Sequence, residues 1–357
     1  MTAREILQYR LCHQYITASP AKTPAEVVTQ LCAIQAQDFA GAKWSIGLRA
    51  PGLTDAAVEE AIADKTIIRL SSLRGTIHFL AAEDVRWVGE LIKPRMVAAS
   101  GSFYNSIGLS EPMFSKSHAV IRKTLEGGRQ ASRDELKEAL EKKKIDTSGH
   151  RMNHFISRAG VDLVICCAPR RGKEFIYTLL DEWLPPAAAK QTGQDGLARL
   201  AWRYFTGHGP ATAQDFAWWS GFTLTAVKAA IQSLGQSLQK ITFGGQEYWM
   251  VPASAQAPSA NQLFLLPGFD EYYIGYSDRG LLSDEATLKK LIPPNGILQP
   301  TIVANGRIAG TWKRTMKKNT LQLEASFFSP FSDPRKKAMV KRSAEFGAFM
   351  GMPVEWI

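Results

Sequence analysis

Apolar residues recur at two spacings along this chain, and the switches between them mark its elements. The clearest stretch is residues 130–180. Ser132 with Glu135 three positions later is a capping-box signature, and Leu136 and Leu140 lie on one helical face opposite Lys137, Lys142 and Lys143. A helix over Asp134–Lys143 is predicted, broken at Asp146-Thr147-Ser148-Gly149. A second helix runs through His150, Met152, Phe155 and Ile156 and is ended by Gly160. Then come an apolar β-type run, Val161–Cys166, the basic turn Pro169-Arg170-Arg171-Gly172-Lys173, and a returning strand, Glu174–Leu179. Two helices followed by strand, turn and strand is the order of a winged helix-turn-helix, whose second helix reads the major groove while the hairpin touches phosphates.

The order recurs twice. Pro24–Ile34 and Thr54–Asp64 read as helices, and Ile67–Leu70 and Gly75–Leu80 as strands joined through Arg74. Further on, Thr212 caps a helix over Ala213–Trp219, Gly221 turns the chain into Leu224–Leu234, and Ile241–Phe243 with Tyr248–Val251 form a hairpin. Linkers are expected at Leu184–Gly196 and Pro252–Asn261. The last segment differs: Leu263–Pro267, Ile302-Val303, Gly310–Lys313 and Thr320–Phe328 read as strands, Asn305-Gly306 as a type I′ turn, and Asp333–Met350 as a basic helix. A small barrel or curled sheet is implied there. The fold class is α+β, with winged-helix units over 1–125, 126–190 and 191–260 and the strand-rich segment over 261–357.

Charge narrows the partner. The 357 residues hold 43 Lys+Arg against 33 Asp+Glu, a net +10, which favours a polyanion over a neutral metabolite. Residues 301–357 carry ten basic and four acidic residues, in clusters that include Lys313-Arg314, Lys317-Lys318 and Arg335-Lys336-Lys337. That suits a phosphate-facing surface; an acidic protein would fit it as well. No apolar run reaches the roughly 18 residues of a membrane span, and no leader is evident. The four cysteines lack zinc or CxxC spacing, so a cytoplasmic, metal-free and cofactor-free protein is expected.

The candidate chemistry sits at Gln35-Ala36-Gln37. A carboxamide is no general base, but it holds water with one acceptor and two donors. Two of them together can orient an attacking water; read from spacing alone, they are surface or capping glutamines first. Other residues have bland readings beside the sharp ones. His78 reads as a packed strand histidine before a site histidine. Arg74 divides between a phosphate contact and solvation. Lys43 can grip a DNA backbone, Trp44 belongs to a core, and Trp218-Trp219 pack the third unit. Asp270-Glu271 read as hydrogen-bonded structural carboxylates. His150 and His154 share a helix face with no third ligand near, which does not make a zinc site.

Four strings together carry a resemblance: Gln35-Ala36-Gln37, Leu73-Arg74-Gly75-Thr76-Ile77-His78, residues 266–279 (LPGFDEYYIGYSDR) and residues 305–314 (NGRIAGTWKR). The chain resembles the bacterial winged-helix DNA glycosylase family typified by AlkZ, over most of its length. The resemblance implies tandem winged helix-turn-helix domains around a C-terminal small β-barrel, with a basic channel for double-stranded DNA. It implies a monofunctional glycosylase, monomeric and associated with the nucleoid, that removes N7-alkylated or cross-linked purines by water attack at the anomeric carbon. Gln35 and Gln37 become water-positioning residues, with Asp38 beside them as a third catalytic candidate. Lys43, Arg74, His78, Arg170, Arg171, Lys173, Lys313 and Arg314 become the DNA-binding set. The rival is a non-catalytic winged-helix DNA binder, such as a transcriptional regulator, which the motif would not serve.

Overall fold

The computed structural model describes residues 1–184, 193–252, 262–292, 297–330 and 333–357. Helix α1 (Ala3–His13) opens the chain, and α2 (Pro24–Leu31) starts with a Thr23–Glu26 capping box and Pro24 at the first turn. The helix expected to reach Ile34 stops three residues early. Cys32 turns left-handed at φ 65°, and β1 (Ile34–Gln35) then pairs with a later strand, Ile34 opposite Phe79 and Gln35 opposite His78. Pairing across the fold overrides the local helical pattern.

Helix α3 (Phe39–Gly47), which no sequence signal above anticipates, follows at once, then α4 (Asp55–Ala63) capped by Thr54, and the hairpin β2 (Ile67–Ser71) and β3 (Ile77–Ala81). Two long helices come next, α5 (Ala82–Ser106) and α6 (Glu111–Leu125). The second unit begins with β4 (Ala131–Ser132), whose Ser132 makes the expected capping box into α7 (Arg133–Lys142). Helix α8 (Arg151–Val161) carries Gly160 inside it instead of ending there. A side chain at Gly160 would meet the Ser71 backbone nitrogen at 3.0 Å, so the glycine lets the helix lie against β2. The apolar run at Val161 therefore closes a helix, and the hairpin starts later, as β5 (Ile165–Arg171) and β6 (Glu174–Leu179).

The two hairpins expected as separate wings are fused. Arg69 of β2 pairs with Cys167 of β5, giving one six-stranded sheet in the order β1-β3-β2-β5-β6-β4. The sheet crosses the 125/126 division, and α6 shares the apolar core of α7 and α8 through Phe114, Ile121, Leu136 and Phe155. After the short α9 (Leu180–Trp183), helix α10 (Gly193–His208) already occupies the end of the first expected linker; residues 185–192 and 253–261 lie outside the described residues. Helices α11 (Ala213–Ser220) and α12 (Leu224–Leu234) and the isolated hairpin β7 (Gln239–Phe243) and β8 (Gln246–Met250) keep the predicted third order.

The C-terminal segment holds β9 (Leu263–Leu266), α13 (Glu271–Ile274), α14 (Glu285–Leu291), β10 (Thr301–Ala304), β11 (Arg307–Met316), β12 (Leu321–Phe327), α15 (Asp333–Met350) and β13 (Val354–Trp356). Its strands form an open curled sheet, β13-β12-β11-β10-β9, the curled-sheet alternative of the strand pattern where the resemblance implied a small β-barrel. Asn305 (φ 50°) and Gly306 (φ 86°) both turn left-handed, as a type I′ turn requires. Helix α15 docks Phe346 and Phe349 onto Trp44 of α3, so the first and last segments share one core. Among the described residues, no helix is long and apolar enough to cross a membrane.

One buried ion pair joins those segments. Arg49 reaches both oxygens of Asp270 at 2.8 Å, with Ser45 Oγ donating to the same carboxylate at 2.7 Å. Arg49→Met leaves Asp270 charged and unpaired in the interior, and a loss of about 3–5 kcal/mol is expected. A fall in the urea unfolding midpoint, with the slope unchanged, is the measurement.

Candidate active site

Strand β1 sets the glutamines by its period of two. Side chains at Gln35 and Gln37 leave on one side of an extended segment, and Ala36 leaves on the other, into the core. The segment is held at each polar backbone group that would otherwise be orphaned. Gln35 N–H donates to Glu271 Oε1 at 3.1 Å, Ala36 N–H to Ile77 O at 2.7 Å, and the Ala36 carbonyl accepts from Arg69 Nε and Nη2 at 3.2 and 3.0 Å. Gln35 Nε2 then donates to Gln37 Oε1 at 2.8 Å. Gln35 is buried, Gln37 is exposed, so the pair forms a polar step from interior to surface.

Asp38 ends the motif by capping α3, accepting from Gly41 N–H at 3.0 Å. Behind the amides stands Glu271, fully buried. Besides Gln35 N–H, it takes Trp219 Nε1–H at 3.0 Å and faces His208 Nε2 at 3.3 Å. Burial pushes its carboxyl pKa up, yet the hydrogen bond with His208 and the charge of Arg74 outweigh that and hold it below the usual value. The site thus keeps a carboxylate ionised within reach of the motif's backbone. Reading Asp270-Glu271 as hydrogen-bonded carboxylates agrees with these contacts, but Glu271's grip on Gln35 had no signal in the sequence.

The family model for AlkZ-like DNA glycosylases matches residues 28–349. The chain belongs to this family. A Streptomyces sahachiroi protein named interstrand DNA cross-link repair glycosylase is 22% identical over 370 residues, with 98% of this chain and 96% of the relative covered. The solved structure of the Streptomyces sahachiroi DNA glycosylase AlkZ shares the fold at a TM-score of 0.84 and 20% identity, covering 100% of both chains. This AlkZ-like chain is accordingly a DNA glycosylase, an enzyme that hydrolyses N-glycosidic bonds.

The positive residues expected on DNA divide sharply by burial. Lys43 is buried and clamped at 2.7 Å by both Asp55 and Glu59, so it cannot grip a backbone. His78 is fully buried, its Nδ1 3.0 Å from Thr76 O, and is the packed strand histidine of the bland reading. Arg74 does not sit at the tip of a free wing. It turns inward at φ 55°, bonding Trp219 O and approaching Gln35 Oε1 at 3.5 Å. Arg170 packs over the Phe39 ring and pairs with Glu59. Arg171, Lys173 and Lys313 are exposed, Arg171 with Glu135 at 3.4 Å, while Arg314 lies half-buried over Phe346. Among these residues the exposed positive charge therefore lies on the β5–β6 turn and on β11, not beside the motif.

Sequence reasoning also missed the two tryptophans' division. Trp219 is buried as expected, but Trp218 is 48% exposed, its indole N–H on Ile274 O at 3.3 Å and Arg279 above its ring at 5.6 Å. The signal was present: adjacent residues on a helix leave 100° apart, so a Trp-Trp pair seldom buries both rings on one face. His154 packs edge-on against the rings of Phe103 and Tyr104.

His78 gives a pH signature. Burial, then the Arg74 charge, push its imidazole down to about 4 from 6.5, so it is neutral in the fold. Its neutral packing contributes in full above pH 6.5 and is lost as pH falls towards 4, a swing of about 3 kcal/mol. His78→Leu is expected to remove that part of the slope, measured by urea unfolding at pH 7, 6, 5 and 4.5.

Proposed function

We propose that this glycosylase releases N7-alkylated or cross-linked purines from double-stranded DNA by water attack, with Gln35 and Gln37 holding the water. The observation that carries the reading is the pair of bonded amides on one side of β1, stepping from the interior to an exposed Gln37. An N7-alkylpurine is already a cation, so its departure needs no prior protonation. The water oxygen bonds the anomeric carbon, the bond to N9 breaks, its electron pair neutralises the departing base, and the water's spare proton passes to solvent. The sugar becomes oxocarbenium-like on the way. Fixed amide dipoles favour that charge without first being neutralised, and water-excluding packing behind them raises their effect. Asp38 and Glu271 add negative charge on the same side of the sugar, Asp38 while also holding the start of α3.

An exposed Gln37 suits a bulky adduct that cannot swing into a closed pocket, which a cross-linked base is. The same reading gives Trp218 a task, since a half-exposed indole offers a flat face for a base beside the lesion. No covalent intermediate is invoked: Lys43, the lysine nearest the motif in sequence, is held by two carboxylates. A plain DNA-binding regulator is disfavoured by membership of a glycosylase family and leaves the amide pair without a purpose.

Gln37→Ala is expected to cut base release from an N7-methylguanine duplex by about 10²–10³-fold, with affinity for that duplex kept. Alkaline strand cleavage under single turnover measures it, and undiminished release defeats the assignment. Trp218→Ala is expected to weaken duplex binding by about tenfold while the unfolding midpoint holds, read by fluorescence anisotropy and urea titration.

A further inference from the structure

We propose that Arg74 is a positioning residue that fixes which end of each amide in the Gln35–Gln37 pair faces the DNA, with Glu271 as its counter-charge. The inference rests on the function proposed above and adds the device that makes two symmetric-looking amides act in one direction.

A carboxamide can turn end for end at almost no steric cost, since its oxygen and nitrogen are similar in size. Only its partners decide the orientation. Arg74 decides it here, because a guanidinium has donors and no acceptor. Gln35 must therefore present its oxygen to Arg74 Nη2, 3.5 Å away. That leaves Gln35 Nε2 for Gln37, which must answer with Oε1, at 2.8 Å. The order propagates outward to the exposed end. Gln37 is left with both N–H donors free and one lone pair, instead of one donor and two lone pairs for the reversed chain. A single free acceptor holds a water in one orientation. Two donors beside it face the acceptor atoms of a departing purine, which gain electron density as the bond to the sugar breaks.

Two features of the fold maintain this at a cost. Arg74 holds φ 55°, a left-handed backbone that a non-glycine residue seldom keeps without compensation, and its other guanidinium nitrogen is anchored on Trp219 O. A guanidinium near a developing cation would oppose the reaction. Glu271 offsets it: the carboxylate is fully buried behind the same strand, on Gln35 N–H and on the indole of Trp219, the residue whose carbonyl holds Arg74. Arginine, carboxylate and first glutamine are thereby locked together through one residue of α11.

The test uses the full chain with an N7-methylguanine duplex, under single turnover at saturating enzyme. Arg74→Met is expected to lower the rate of base release by about tenfold or more, with duplex affinity within about twofold and a smaller loss for Arg74→Lys, which keeps a donor-only group. In the Gln35→Ala background, adding Arg74→Met should change the rate by less than about twofold, because the group it acts through is gone. Equal losses in both backgrounds overturn the inference, as does a variant that loses affinity steeply with salt but reacts normally when saturated, the mark of a phosphate contact. A second readout needs no activity. In 15N-glutamine-labelled protein, the side-chain amide signals of Gln35 and Gln37, assigned from their alanine variants, should both move in Arg74→Met. Unmoved signals overturn the positioning role. Moved signals in a protein that releases no base leave it standing and remove the function proposed above instead.

Discussion

A buried carboxylate must find donors or lose its charge, and Glu271 finds three that lie far apart in the chain. One is the backbone of Gln35, one the indole of Trp219 on α11, one the imidazole of His208 at the end of α10. Leaving any one unmade would strand a charge in the interior, a cost of several kcal/mol. The first strand, the third helical unit and α13 are therefore fixed relative to each other by one side chain. Asp270, its neighbour, performs the parallel task for α3 through Arg49. The two acidic residues look like a metal pair in isolation, yet each is spent on holding segments together.

The same constraint explains why the motif starts on a two-residue strand. Extended backbone is needed to send both glutamines one way, but a strand at the edge of a sheet exposes unpaired polar groups on its free side. Here Glu271 takes the Gln35 N–H on that side, and Arg69, reaching across from β2, takes the Ala36 carbonyl. Arg69 can do so because it is buried over the Phe175 ring, in the hairpin of the second unit. Fusing the two hairpins into one sheet thus brings the second unit to bear on the motif. Had they remained separate wings, Arg69 would have lost the Phe175 ring that backs its clamp on the Ala36 carbonyl.

Burial also sorts the basic residues into two classes with different physics. Arg10, Arg49, Arg69 and Lys43 are interior cations whose partners are carboxylates, carbonyls and ring faces. Lys173, Arg171 and Lys313 remain at the surface, where charge acts at a distance and attracts a polyanion. A surplus of +10 therefore overstates the charge available to DNA near the motif and understates how much of it is structural.

Local signals in the chain were enough for the elements with strong caps and turns. The capping boxes at Ser132 and Thr212, the helix capped by Thr54 and the Asn305-Gly306 turn all depend on residues within a few positions, so a linear reading reaches them. The motif and the family were legible for the same reason, being strings of adjacent residues. What depends on distant partners was not. The end of α2 at Leu31, the fusion of two hairpins and the inward turn of Arg74 are each decided by a group dozens to hundreds of residues away. Sequence alone determined which strings of residues mark the family and the candidate site; only the tertiary structure decided which way their side chains face, because orientation follows from hydrogen-bond partners that proximity along the chain does not supply.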